Sequence, residues 1–141
     1  MLRAENEKLV ARQTEMFGRD LPLSKRWDIA CDYLDEDLES GYVRVLNEMT
    51  AAGWSNDAVG VEVRAMFDRW TMLLTDAATR SESDGVGFDI FSAEEVAALI
   101  SAVFIGAESM ILLGRESEKA PFRKALRTIG QLIRRIEEGT V

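Results

Sequence analysis

Histidine is absent from the 141 residues. That removes the side chain that most often serves as general base, partners a catalytic serine or cysteine, and ligates metals. The single cysteine, Cys31, permits neither an internal disulfide nor a thiolate metal cluster. Only two prolines occur, Pro22 and Pro121, and both stand where a helix can begin. Basic residues are outnumbered, 17 against 25 acidic, for a formal charge of −8. Such a chain is repelled by nucleic acid unless a basic face is segregated from the acidic surface. No apolar run reads as long enough to cross a bilayer, and the opening MLRAENEKL is too charged for a signal peptide. The expected compartment is the cytoplasm, with no metal, no cofactor and no membrane partner.

What is present is a globular composition, 47% hydrophobic and 30% charged. The length suits one domain, residues 1–141, able to bury roughly two-thirds of the surface of its unfolded chain. Apolar residues recur at spacings of three and four, and no stretch alternates as a strand does. The expected class is therefore all-α, with six helices. The first covers 3–17, with sparse apolar positions (Leu2, Leu9, Met16; Val10, Phe17) and Gly18 as its stop. The second covers 22–39, with Trp27, Cys31, Leu34 and Leu38 inward and the acidic run 35–39 read as a solvated face. The third covers 42–52, with Val45, Leu46 and Met49 inward. The fourth starts near Asn56 as N-cap, carries the stripe Val59, Val63, Met66, Trp70, Leu73 and Ala77, and ends in a loop at 81–87.

The last two helices differ in kind. Ser92 and Glu95 form a capping box ahead of the fifth, which is apolar nearly all round through 97–114 and so must be covered on both sides. The sixth opens at Pro121, with Phe122, Leu126, Ile129, Ile133 and Ile136 spaced four, three, four, three. Two such helices from each of two chains would make an intermolecular four-helix bundle, with Val103, Ile111, Leu126, Ile129 and Ile133 at the interface and Gly106, Ala107 and Gly130 allowing close approach. The alternative is that both helices are central to a monomeric core. The other face of the sixth helix is basic, with Arg123, Lys124, Arg127, Arg134 and Arg135, and fits against the acidic second helix.

Aromatic and methionine residues (Trp27, Tyr33, Tyr42, Met49, Trp54, Met66, Trp70, Met72, Phe104) fill a core or line an apolar pocket. The residues assigned to a pocket are Trp27, Tyr33, Met49, Met66, Trp70, Phe104 and Glu108. Glu108 stands in an apolar run, so its carboxylate needs a partner, such as Arg127, or a raised pKa, and it can hold a cationic or hydrogen-bonding ligand group. Cys31, on an apolar stripe, reads as an inert buried thiol.

The segments KRWDIACDYLDEDLESGYVRVLNEMTAAGWSN (25–56), FSAEEVAALISAVFIGAESMILLG (91–114) and PFRKALRTIGQLIRRIEE (121–138) resemble the C-terminal regulatory domain of TetR-family transcriptional repressors. The likeness lies in the order and composition of helices over nearly the whole chain. It implies a helical body that binds a small ligand among its helices, dimerises through the last two, and transmits ligand binding to an N-terminal helix-turn-helix. No helix-turn-helix is in this sequence, so residues 1–18 are expected to be the connecting helix to an absent DNA-binding head. The expected function is a ligand-sensing, dimerising repressor body for an apolar or aromatic small molecule, without catalytic residues or nucleic acid contact of its own. The rival readings are a small helical enzyme using a buried carboxylate, Glu108 or Asp32, on an apolar substrate, and a head-less interaction module.

Overall fold

A computed structural model describes residues 4, 7, 8, 11, 12, 14–16, 20–83 and 90–139. The chain is all-α. Helix α1 is seen at residues 4, 7, 8, 11, 12 and 14–16. It is followed by α2 (Leu23–Ser40), α3 (Tyr42–Gly53), α4 (Asp57–Ser83), α5 (Ala93–Leu112) and α6 (Phe122–Glu137). No β-strand occurs among the described residues; Ser117 and Ala120 make one isolated bridge in the turn before α6. Leu2, Leu9, Val10, Phe17 and Gly18, named above for the first helix, lie outside the described residues, as do residues 84–87 of the expected loop.

The helix ends follow their local chemistry. The Ser92–Glu95 capping box is formed, each side chain accepting from the other residue's backbone N–H. The Asn56 side chain accepts from the Val59 N–H at 3.3 Å and starts α4. Gly41, at φ +83°, ends α2 in the left-handed conformation and turns directly into α3. The proline-headed helices borrow carboxylates from outside the capping box positions instead, one remote in sequence and one from the preceding turn. Glu137 accepts from the Ser24 backbone at 2.9 Å and its hydroxyl at 2.5 Å. Glu116 accepts from the backbone of Phe122 and Arg123 at 3.1 and 3.3 Å.

Helix α2 packs on α6 and α3, and α4 lies between α3 and α5. One core joins Trp27, Cys31 and Leu34 of α2 to Val43, Phe104, Ala107, Leu126 and Ile133. A second joins Met16 of α1 to Leu74, Ala77 and Ala97. At the α2–α6 crossing the Trp27 indole N–H donates to the Leu126 carbonyl at 2.7 Å, and its ring meets Phe104 at 5.2 Å between centroids. The indole can reach a mid-helix carbonyl only because position 130 is glycine: a Cβ there would stand 3.0 Å from Trp27 Cδ1 and 2.9 Å from the Asp28 carboxylate. Outside this seam the expected charge complement is present. Arg127 binds Asp32 at 2.7 Å and Asp35 at 3.1 Å, and Arg134 binds Asp28 at 3.0 Å.

Three expectations need correction. In α3 the buried residue is Val43, while Val45 is exposed and Leu46 and Met49 are half-buried. Of the three, Leu46 does face inward, one helical turn from Val43 on the wall of an interior cavity, and it is Val45 that points to solvent. Leu126 and Ile133, assigned to an interface, are 3% and 5% exposed and belong to the chain's own core beneath α2. Helix α5, with 20 residues and few charges, does have the length and composition of a bilayer span, although it lies within a helical bundle.

Replacing Gly130 by valine should drive α6 away from Trp27 and cost about 1–3 kcal/mol, the usual range for overpacking. Urea unfolding should show a lower midpoint with loss of the Trp27–Leu126 hydrogen bond.

Candidate functional site

The helices leave a partly open cavity of about 100 Å³ between α1 and α5. Helix α2 presents Ala30, Tyr33, Leu34 and Asp37, which the helical repeat places on one face. Helix α3 adds Tyr42, Val43 and Leu46, α4 adds Met66, Phe67 and Trp70, α5 adds Phe104, Ile105 and Glu108, and Met16 closes it from α1. Only α6 takes no part. The lining is mostly apolar and aromatic with a few polar groups, the usual character of a small-molecule site. The Tyr42 hydroxyl lies 3.5 Å from the Met66 sulfur, which ties α3 to α4 at the wall.

Two carboxylates face this apolar space, and they are treated differently. Arg12 of α1 lies across the Tyr33 ring, 3.8 Å from its centroid, and binds both oxygens of Asp37 at 3.1 Å. It also reaches Glu36 at 3.2 Å. Burial raises the Asp37 pKa, Arg12 opposes that rise, and Glu36 adds to it. Glu108 has no hydrogen-bond or ion-pair partner among the described residues. Burial, with a further push from the Asp37 charge, lifts its pKa to about 7.

Five of the seven residues assigned to a pocket line this cavity together: Tyr33, Met66, Trp70, Phe104 and Glu108. Trp27 does not, because its indole is committed to the α6 seam; it borders instead a smaller gap of about 20 Å³, beside the buried Arg26. Met49 is half-buried on α3 and outside the cavity. Two further readings are corrected. Arg127 does not pair with Glu108, because α6 turns it toward Asp32, Asp35 and the Asp28 carbonyl. The acidic run 35–39 is not uniformly solvated, since Asp37 points to the cavity and Arg12. Asp37 and Met16 are the lining residues with functional bearing that the sequence reading missed. The signal for Asp37 was its place one turn beyond Tyr33. Cys31 is buried in the core, and burial pushes its thiol up to about 11, so it is unreactive.

The apolar stripe of α5 forms a second feature. Leu99, Val103, Gly106, Met110 and Leu113 follow one another at intervals of four, three, four and three, and all are exposed. On α6 lies a separate shallow groove lined by Pro121, Lys124, Ala125, Thr128, Ile129 and Leu132. Leu99 is 51% exposed, Val103 42% and Leu132 50%, while Ile111 and Ile129 are half-buried. No family model, curated protein or solved structure matches the chain.

Glu108 makes stability depend on pH. Its folded-state pKa of about 7 exceeds the ordinary 4.5, so between those values the folded chain holds a proton that the unfolded chain releases. Stability from this group therefore falls as pH rises through that window, by roughly 3 kcal/mol in all. Glu108→Gln should match the parent near pH 4 and exceed it at pH 8 by that amount, read from the difference between their urea midpoints.

Proposed function

We propose that the chain is the ligand-sensing and dimerisation body of a transcriptional repressor, as its resemblance to TetR-family regulatory domains implies. The observation that carries this reading is the cavity: a partly open, largely apolar space of about 100 Å³, walled by α1 to α5, in a chain with no histidine to run acid–base chemistry. Its ligand would be a small apolar or aromatic molecule. Catalysis is not part of the proposal, and no cofactor is required.

The route for a signal follows from what the cavity touches. Met16 lines it, and Tyr33 and Asp37 hold Arg12 from outside it. A ligand that shifts any of these three residues changes how α1 sits on α2. In the proposed protein α1 is the connection to a DNA-binding head, so this is the step by which occupancy would reach DNA.

The exposed stripe of α5 and the shallow groove on α6 support the dimer. The seam differs from the one expected: Val103, Ile111 and Ile129 remain in it, Leu99, Met110 and Leu132 join it, and Leu126 and Ile133 leave it for the core. A Cβ at Gly106 would meet nothing within 4 Å, so a partner helix can approach there. Cover by a lipid surface is the competing outcome, because the same helix has the composition of a span.

A second reading has one observation in its favour. Glu108, with its pKa near 7 inside the cavity, is poised as a general acid or base for an apolar substrate. Turnover that disappears in Glu108→Gln while binding persists would establish that enzyme reading over the sensor.

Native mass spectrometry at low micromolar concentration should show a dimer. Val103→Glu places an unpaired charge in the proposed seam and should weaken the dimer roughly a hundredfold, about 3 kcal/mol, without loss of helix by circular dichroism. A monomeric parent chain at tens of micromolar would remove the dimer from the proposal. Lipid-dependent cover would show instead as binding of the parent chain to anionic vesicles.

A further inference from the structure

We propose that the cavity between α2 and α5 selects an organic monocation, with the Glu108 carboxylate as counter-charge and the surrounding aromatic rings as its cage. This rests on the sensor reading above and names the ligand class.

Three observations converge on it. The first is charge. Two carboxylates, Asp37 and Glu108, line the cavity, and no lysine or arginine lines it among the described residues. Asp37 is already neutralised from outside by Arg12, whereas Glu108 has no partner among the described residues. A charge left unpaired in apolar surroundings is unfavourable, and a cation entering the cavity relieves it. The second is the lining. Tyr33, Tyr42, Trp70 and Phe104 all border the space, and aromatic faces attract cations most strongly where water is excluded. The chain already uses this chemistry at the rim, where the Arg12 guanidinium lies 3.8 Å from the Tyr33 ring centre. The third is size. About 100 Å³ is less than the roughly 150 Å³ of an engineered apolar cavity that takes up benzene. An ammonium head and a short arm fit, and the open side lets a larger body extend outward.

A neutral ligand has weaker grounds. It would leave the Glu108 charge in apolar surroundings above neutral pH, or would have to bind the protonated carboxyl.

The two cases differ in their pH dependence. The ionisable groups that line the cavity with Glu108 are Tyr33 and Asp37 from α2 and Tyr42 from α3, with Arg12 of α1 held behind Asp37 and Tyr33; α4 presents Met66, Phe67 and Trp70, none of which titrates. A cation binds the ionised carboxylate, so its affinity rises with pH through the Glu108 transition near 7. A neutral acceptor, bound to the protonated form, weakens over the same range.

The experiment compares benzylammonium chloride with its neutral isostere benzyl alcohol, using the full chain. Binding is read by tryptophan fluorescence and by melting temperature at pH 6 and pH 8. Benzylammonium should bind about tenfold more tightly at pH 8 than at pH 6, the ratio for a single group titrating near 7, and should be preferred to the alcohol at pH 8. In Glu108→Gln both the preference and the pH dependence should vanish, with the fold intact by circular dichroism. In Glu108→Asp the preference for the cation should persist. Equal binding of the two compounds at pH 8 would overturn the cation assignment and leave the sensor reading standing. Failure of both compounds to bind at either pH would remove the cavity as a site, and the sensor reading with it.

Discussion

The placement of the Trp27 indole against Gly130 governs how the rest of the bundle can assemble. With no side chain at 130, α6 settles close enough for the indole N–H to reach the Leu126 carbonyl at 2.7 Å. That contact fixes the depth of α6 and seats Leu126 and Ile133 in the core beneath it. It also turns Arg123, Arg127 and Arg134 of α6 toward the outer acids of α2. The ion pairs that result, Arg127 to Asp32 and Asp35 and Arg134 to Asp28, are partly exposed and each adds little by itself. They decorate a seam that packing has already positioned.

The same helix separates its acids into two populations. Asp28, Asp32 and Asp35 step around to α6, while Asp37 is carried on to the side of Tyr33, where Arg12 meets it. With Arg123, Arg127 and Arg134 taken up on the far side of α2, Glu108 is left facing a cavity with no basic side chain among its described lining residues. The cost of an uncompensated carboxylate is thus a by-product of how well the outer acids are matched.

Much of the fold was legible from spacing, because six amphipathic or apolar segments with clear stops allow few other readings. The capping box at Ser92 and Glu95 was legible because it is local. The cap that Glu137 supplies to Ser24 was not, since it joins residues 113 positions apart that only the tertiary fold brings together. The cavity was legible where helix faces point, at Tyr33, Met66, Trp70, Phe104 and Glu108. It was misread at Trp27, since the same aromatic residue suits a seam or a pocket and only the neighbouring glycine decides. The partner of Glu108 was misread because the sixth helix shows five basic residues without saying which way each turns. The excess apolar surface of α5 was apparent from its composition, and the structure locates it on the stripe from Leu99 to Leu113.

The three tryptophans also divide the molecule into three optical environments. Trp27 is sealed in the core beside Phe104, Trp70 borders the cavity, and Trp54 stands in solvent at the α3–α4 turn. A small aqueous quencher strips emission from Trp54 first and leaves a blue-shifted remainder from the two inner indoles. The chain therefore carries intrinsic reporters of core, cavity and surface that can be followed separately without a label.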